Sequence, residues 1–588
     1  MGMNIKDLLR LRIGGAADTW ALSSIAAGVM CGNPAVVSAV SHYAPWLLSS
    51  NGDVAAALGA AGGAWFSHRI KTVLDKSGLL RSELALNSAK PPFKMPVRGE
   101  LGGLLLGYTV DKGDPLILPW EDVMRHMQII GMTGVGKTVL GRLLMFQQIL
   151  NGGGLMFIDG KLMREELEGI YAMCKLAGRE QDLQVLNPGN PAMSNTYNPI
   201  LDGDSDEVSA RVLSLTPSTE TSAGADYYKQ SGNQGVATLV AAIQRAGFAY
   251  NFMDLTILLM SQDAMNYLLS VLPASPERTN LLLFLDQYRV PDRNGNMMID
   301  IKRMKDVFGG IGGRMYMFGT GSFGQVLNSY SPEVRLFESI KANKIIYAML
   351  PTMGKDVAAK NFGKMLVGDY RTAISWVQAL PESERPWPPY IGFFDEAGSY
   401  VGPSWATMFE QARSAHAAMI PAVQTLANFE AVSMELKEMV IGNTWTKVFF
   451  KVGTQATATE SADLIGMEKV HQASISATDN QSSSSAQANI NAQANAGEGS
   501  GMAVQEREAE EYSISPDDLK MLDKGEAIVT YGGSKKYHIR IPMLDLSAYK
   551  AGKVRINHTR PQIVRGLNLY RRADQYLGGD ARKELEKN

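Results

Sequence analysis

The sequence predicts an α/β fold in which a mostly parallel sheet is interrupted by a helical insertion. Three observations carry this expectation. Short apolar runs alternate with segments of helical periodicity between about residues 126 and 186, the alternation from which parallel sheets are built. That alternation lapses between residues 203 and 342, where helical spacing takes over, and resumes at residue 345. The first strand candidate also runs directly into a glycine-rich loop and then a helix.

A chain of 588 residues exceeds what one hydrophobic core supports, so a large central domain with attachments is expected. The composition, 45% hydrophobic and 20% charged, is that of a folded protein. A formal net charge of -2 gives no global attraction to nucleic acid or acidic lipid, so any polyanion site must be local. Cys31 and Cys174 are the only cysteines; they form neither a disulfide framework nor a metal-ligand spacing, and they point to a reducing compartment.

No side chain is charged from Thr19 to Ser41, and only Asp53 is charged from Tyr43 to Ser67. Lys6, Arg10 and Arg12 precede these stretches and His68, Arg69, Lys71 and Lys76 follow them, which reads as a membrane hairpin over residues 1–71 with both flanks inside. A buried hairpin of a soluble domain is the alternative, since the stretches are rich in Ala, Gly and Ser. Residues 72–119 form a polar, proline-dotted connector with two leading strands, near residues 102–106 and 116–118.

His126, Met127, Gln128, Ile129 and Ile130 form the first core strand candidate, and apolar residues recur at helical spacing from Lys137 to Leu150. Further strands are expected at residues 154–159 and 183–186. In the insertion, helices are expected at 207–215, 230–246 and 254–272. The sheet resumes at 345–350, 390–394, 420–423, 447–450 and 527–530. Residues 471–501 are mostly Ser, Ala, Gln, Asn and Gly with few large apolar side chains, which predicts a flexible loop. Residues 546–588 form a basic tail, whose Lys550, Lys553, Arg555, Arg560, Arg565, Arg571 and Arg572 are expected to make a solvated face.

Between the first strand and its helix, Gly131, Met132, Thr133, Gly134, Val135, Gly136, Lys137 and Thr138 fit G-x-x-x-x-G-K-[ST], the phosphate-binding P-loop. Glycines let successive N–H groups curl around phosphates at the positive end of the following helix. Lys137 would reach the β- and γ-phosphates of ATP, and Thr138 would ligate Mg²⁺. The apolar run Ile391, Gly392, Phe393, Phe394 delivers Asp395 and Glu396 at a strand's C-terminal end, the edge where a P-loop also lies. Asp395 would bind Mg²⁺ through water, and Glu396 would polarise the attacking water. The expected fold is thus a RecA-like P-loop NTPase, with its nucleotide-binding domain split into residues 120–202 and 343–545 around an all-helical inserted domain at 203–342. Arg413 and Gln424 frame the next strand; by residue chemistry alone Arg413 fits a surface ion pair.

The chain resembles the type IV secretion coupling proteins, the membrane-anchored ATPases of conjugation and effector secretion. The resemblance covers about residues 120–202 and 344–545. It rests on an ordered series: the P-loop; Phe157, Ile158, Asp159, Gly160 and Lys161; Ser194, Asn195, Thr196, Tyr197, Asn198 and Pro199; Phe394, Asp395 and Glu396; Gln411, Ala412, Arg413 and Ser414 with Gln424; Gly442, Asn443 and Thr444; and Leu519 to Val529. It implies that Lys137, Thr138, Asp395 and Glu396 form the ATP and Mg²⁺ site. It further implies that Arg413 acts across a subunit boundary and that Gln424 senses the phosphate. A homohexamer at the bacterial inner membrane, with its ATPase domain cytoplasmic, is also implied. Its partners would be relaxase-bound single-stranded DNA, secreted proteins and other secretion components. Two other functions compete. A chromosome-segregation-type DNA translocase would need a DNA-reading C-terminal domain, for which the residues after Leu544 are too few. A membrane receptor or scaffold ordered by nucleotide would not need a water activator such as Glu396.

Overall fold

The computed structural model describes residues 102–160, 162–216, 223–291, 297–478, 501–544, 546 and 553–572. The expected membrane hairpin, at 1–71, lies outside the described residues. Among the described residues no helix is long and apolar enough to cross a membrane.

The strands run in chain order as β1 (Gly103–Thr109), β2 (Pro115–Pro119), β3 (Met127–Ile130), β4 (Leu155–Asp159), β5 (Leu183–Leu186), β6 (Arg289–Pro291), β7 (Met297–Ile299) and β8 (Ile345–Met349). They continue as β9 (Tyr390–Asp395), β10 (Ala417–Val423), β11 (Thr446–Phe449), β12 (Met467–Thr478), β13 (Gly501–Tyr512), β14 (Glu526–Tyr531) and β15 (Lys535–Arg540). Two compact units divide the chain, the larger made of residues 96–105, 117–536 and 543–588. In the smaller, Tyr108 faces Arg540 and Thr109 faces Ile539 across an antiparallel pair.

In the larger unit the strand order is β14-β11-β3-β10-β9-β4-β8-β5. From β11 to β5 every pairing is parallel, and β14 pairs with β11 antiparallel. Every residue of β3, β4, β8, β9 and β10 is buried. Helices cover both faces of such a sheet, which is why these strands read as continuous apolar runs rather than alternating ones. Helices Lys137–Leu150, Arg164–Leu176 and Asp356–Gln378 make the crossovers.

The insertion between β5 and β8 is built from helices Ser205–Leu213, Ala223–Arg245, Phe252–Met260, Gln262–Val271, Pro276–Asp286 and Ile301–Gly319. Phe284, Tyr288 and Phe308 form its aromatic centre, with ring centroids 5.4, 5.8 and 5.9 Å apart. Gly235 lets Phe308 approach, since a Cβ there would lie 2.6 Å from its ring. The insertion is not all-helical as expected: β6 and β7 form an antiparallel ribbon, Val290 facing Met298. Strands of three residues are too short to register a period of two. The single helix expected over 254–272 is two, because Ser261 is extended and its hydroxyl caps the second by accepting from the Ala264 N–H.

The insertion is tied to the sheet through the segment 194–199. The Asn195 backbone and side chain both bond Val185 of β5, and the Asn198 amide donates to the carbonyls of Tyr250 and Ser329. The Tyr197 hydroxyl donates to Asp369 at 2.5 Å, and the same carboxylate accepts from buried Arg211, also at 2.5 Å. Burial outweighs the cation and holds the Asp369 carboxyl above its ordinary range, at about 6.

Two expectations near the C-terminus need correction. Residues 471–478 and 501 of the expected flexible loop are strand, because β12 pairs along its whole length with β13, from Met467 opposite Tyr512 to Thr478 opposite Gly501. A backbone ladder needs no apolar side chains, so composition did not announce it; residues 479–500 lie outside the described residues. The described part of the basic tail is not simply a solvated face. Leu567 and Leu569 are buried, Arg565 stacks 4.2 Å over Phe248 and Arg572 5.3 Å over Tyr267. The Leu569 N–H donates to buried Asp254 at 2.8 Å, which pins the tail across the insertion.

Candidate active site

β3 ends at Ile130, and the chain turns through the P-loop into helix Lys137–Leu150. The turn needs its glycines. Gly134 and Gly136 have φ of +81° and +128°, and a Cβ on Gly131 would lie 2.5 Å from Phe450 Cβ. The loop is braced from three segments: the Gly131 N–H donates to the Val423 carbonyl at the end of β10, the Met132 N–H to that of Lys451 just beyond β11, and the Gly525 N–H, just before β14, to that of Val135. Thr133 and Gly134 are exposed at the rim. The first-turn N–H groups of the helix have no intrahelical acceptors and present positive charge to the loop. The Lys137 ammonium folds back onto the carbonyls of Gly131 and Met132. Thr138 follows in the first helical turn, half-buried.

Asp395 and Glu396 lie at the same edge of the sheet. Ile130 is level with Val423 of β10, and Asp395 is level with Ala422. One strand therefore separates the P-loop from the acid pair, a lateral spacing of about 10 Å at the usual strand separation. Asp395 is buried and its carboxylate accepts from the Glu396 N–H at 3.1 Å. The Tyr400 hydroxyl holds the Asp395 carbonyl at 2.9 Å. Burial, reinforced by the nearby carboxylates of Asp395, Asp159 and Glu396, pushes the Tyr400 phenol well up, so it remains a donor.

Glu396 adopts the left-handed conformation, φ 54° and ψ 38°, uncommon for a residue with a side chain. The N–H and hydroxyl of Ser399 both donate to its carbonyl, at 3.0 and 2.8 Å. Its carboxylate lies over Gly160, where a Cβ would be 3.3 Å from Glu396 Oε2. Asp159 ends β4 beside Asp395 and accepts from the buried Tyr347 hydroxyl at 2.8 Å. Helix Lys137–Leu150 rests on β9 at Gly141, where a Cβ would be 2.9 Å from the Phe393 ring. Gly160 and Gly141 thus shape the site, though sequence reasoning assigned neither a role. Gly160 stood inside a recognised motif; Gly141 carried no signal.

Gln424 follows β10 at the P-loop edge and is exposed. Arg413 does not join this group. It precedes β10, is exposed, and lines a cleft of about 650 Å³ with Arg125, His126, Trp445 and Lys447 at the opposite edge of the parallel strands. Gly442, Asn443 and Thr444 line the same cleft. His126 holds its wall together: the ring accepts from the Met419 N–H and donates to the Phe409 carbonyl, both at 3.1 Å. Burial, aided by Arg413, lowers its pKa to about 4, so the ring is neutral.

Residues 389–524 match the family described as the TraM recognition site of TraD and TraG. Type 4 coupling protein DotL of Legionella pneumophila strain Philadelphia 1 is 25% identical over 414 residues, covering 62% of this chain and 52% of DotL. This chain therefore spans about half the length of that curated relative. Among solved structures, the bacterial conjugative coupling protein TrwB superposes with a TM-score of 0.51 at 14% identity, covering 76% of this chain and 90% of TrwB. TrwB in complex with ADP and Mg²⁺ gives the same values. TrwB in complex with the non-hydrolysable ATP analogue ADPNP gives a TM-score of 0.52 at 13% identity, over 77% and 91% of the two chains. At such identities the likeness to TrwB is one of fold, that of a large mixed α/β sheet with helices.

Proposed function

We propose that this chain, a relative of the type IV secretion coupling proteins, is an ATP-driven coupling ATPase. It would recruit relaxase-bound single-stranded DNA, secreted proteins or both, and feed them to a secretion channel. One observation supports the reading: a glycine-rich loop and an acid pair, far apart in sequence, lie at one edge of a parallel sheet with a single strand between them.

In this reading the residues at 131–138 cradle the triphosphate, and Lys137 turns its ammonium from the loop carbonyls to the β- and γ-phosphates. The Thr138 hydroxyl, and Asp395 through water, would hold Mg²⁺, which would neutralise charge on the phosphate oxygens. Glu396 orients the attacking water and takes its proton, Gln424 senses the γ-phosphate, and Arg413 offsets transition-state charge in a neighbouring copy. A homohexamer at the inner membrane, with partners drawn from the secretion machinery, completes the proposal. The region matching the TraM recognition site is the natural place for one such contact.

The test is ATP hydrolysis by the full chain with and without single-stranded DNA. Hydrolysis stimulated by DNA and abolished in Lys137→Ala is the expected result; undiminished turnover in that variant would exclude the proposal.

A further inference from the structure

β12 and β13 stand apart from the large sheet. They pair only with each other, in register from Met467 opposite Tyr512 to Thr478 opposite Gly501, as a separate two-stranded sheet. Each strand has 12 residues, a length of about 40 Å at the usual rise. The base of this ribbon is fixed. Gly466, with φ +94°, ends helix Gln455–Ile465 and turns the chain into β12. Its carbonyl accepts from the Ser513 N–H at 3.1 Å, and the Tyr512 hydroxyl donates to Asp463 at 2.8 Å. Lys536 bonds Glu468, at 3.4 Å, and the Ser513 hydroxyl.

Both long edges of the ribbon are open, for among the described residues neither strand has a second neighbour. In an antiparallel pair alternate residues direct their N–H and C=O away from the partner strand, so each edge offers a row of donors and acceptors. A lone two-stranded ribbon is marginal in water, and a third strand stabilises it. Copies related by rotation about one axis present ribbons that point the same way. In that arrangement β13 of one copy and β12 of the next run antiparallel, the stronger ladder. A two-fold dimer would instead pair like strands. Joining β13 to β13 opposes Glu506, Glu508, Glu510 and Glu511 to the same acids of the other copy, with only Arg507 on each side to offset them. β12 carries one acid, Glu468, beside Lys469, and so suits the acidic strand; joined to another β12 it would leave both β13 edges open.

We propose that the ribbon is an interface between copies of this chain, in which β13 of one copy adds to β12 of the next. Around a ring the ribbons then close into one antiparallel sheet, which leaves no edge exposed. The inference rests on the proposed assembly of several copies, and it names a contact that involves neither nucleotide nor Arg413.

The experiment uses the full chain in two measurements. Hydrogen exchange of the amides at 467–478 and 501–512 is followed by mass spectrometry above and below the protein concentration at which ultracentrifugation shows assembly. Amides bonded between copies should exchange on the order of 100-fold more slowly in the assembly than in the monomer. Separately, Ala473→Cys chains are mixed with chains carrying Val504→Cys, Glu506→Cys, Glu508→Cys or Glu510→Cys and oxidised, with thermal unfolding as the check on each variant's fold. Disulfide-linked dimers beyond the wild-type level should form in at least one mixture and in no variant alone, since two β12 strands of a ring stand about 10 Å apart, beyond the reach of a disulfide. Dimers of Ala473→Cys alone, or equal exchange in monomer and assembly, would overturn the ribbon contact and leave the ring standing. Slow exchange already present in the monomer would assign the cover to the chain's own residues and overturn it as well. A chain that fails to assemble at any concentration, with or without ATP, would remove the ring and the ribbon contact together.

Discussion

Adding a side chain at Gly160 displaces Glu396 without altering it. Gly160 follows β4, and a Cβ there would lie 3.3 Å from Glu396 Oε2, 3.7 Å from its Cβ and 3.9 Å from its Cδ. Its φ is not positive, so a larger residue brings no left-handed strain, and the stability change for alanine should stay within about 1 kcal/mol. Alanine asks the carboxylate to give way by a few tenths of an ångström. Valine extends a further bond, about 1.5 Å, and displaces the whole side chain. A misplacement of about 1 Å in a reacting group costs on the order of 100-fold in rate. Steady-state ATP hydrolysis should therefore show kcat reduced several-fold in Gly160→Ala and on the order of 100-fold in Gly160→Val. KM should hardly move, since the cradle at 131–138 is untouched. Thermal unfolding of both variants controls for misfolding. Wild-type kcat in a folded Gly160→Val chain would refute the assignment of Glu396 as the group that positions water from this place.

Arg211→Met leaves the buried Asp369 carboxylate without its cation, and denaturant unfolding should show a loss of about 3–5 kcal/mol; a loss below about 1 kcal/mol would mean that this network does not join insertion and sheet. His126 is held near pKa 4 against 6.5 when unfolded, so its contribution is complete above pH 6.5 and declines as pH falls towards 4, by at most ~3 kcal/mol. Comparing the pH dependence of unfolding for wild type and His126→Gln isolates that window, and parallel profiles between pH 4 and 6.5 would contradict the assignment. Leu569→Ala should cost about 2–4 kcal/mol and expose residues 553–572 to protease; unchanged protease resistance of that segment would argue against its being pinned.

The parallel core was legible because burial on both faces writes itself as unbroken apolar runs, as in Ile345–Met349 and Tyr390–Asp395. The loop–helix turn at 131–138 and the strand that ends at Asp395 were legible because each is a local pattern with its own context of strand and turn. What escaped was made by contacts between distant segments. The role of Gly160 exists only because Glu396 lies over it, and that of Gly141 because Phe393 lies under it. β12 and β13 are held by their backbones, and so left no trace in composition. In the tail, Leu567 and Leu569 offered a short alternating signal, but the arginines around them read as a solvated face until Phe248 and Tyr267 supplied stacking surfaces.

The position of Arg413 bears on how the proposed motor must be assembled. Arg413 precedes β10 and Gln424 follows it, so the length of Ala417–Val423, about 20 Å, separates them. No arginine side chain spans that distance, and Arg413 cannot touch phosphates held by residues 131–138 of its own chain. An arginine that stabilises charge in hydrolysis from this place must serve another copy. Such a contact joins two different faces of the chain, and head-to-tail contacts of that kind close into rings or run on as filaments. β10 is buried along its whole length and paired on both sides, so it behaves as a rigid bar between the two roles. His126 clamps the Arg413 end of that bar, bonding Met419 within β10 and Phe409 in the helix that leads to Arg413. A displacement imposed at the cleft by a neighbouring copy would therefore reach the Gln424 end with little loss, where the γ-phosphate would be sensed. Turnover in one copy can then depend on occupancy of the next through a single strand, without requiring the insertion to move.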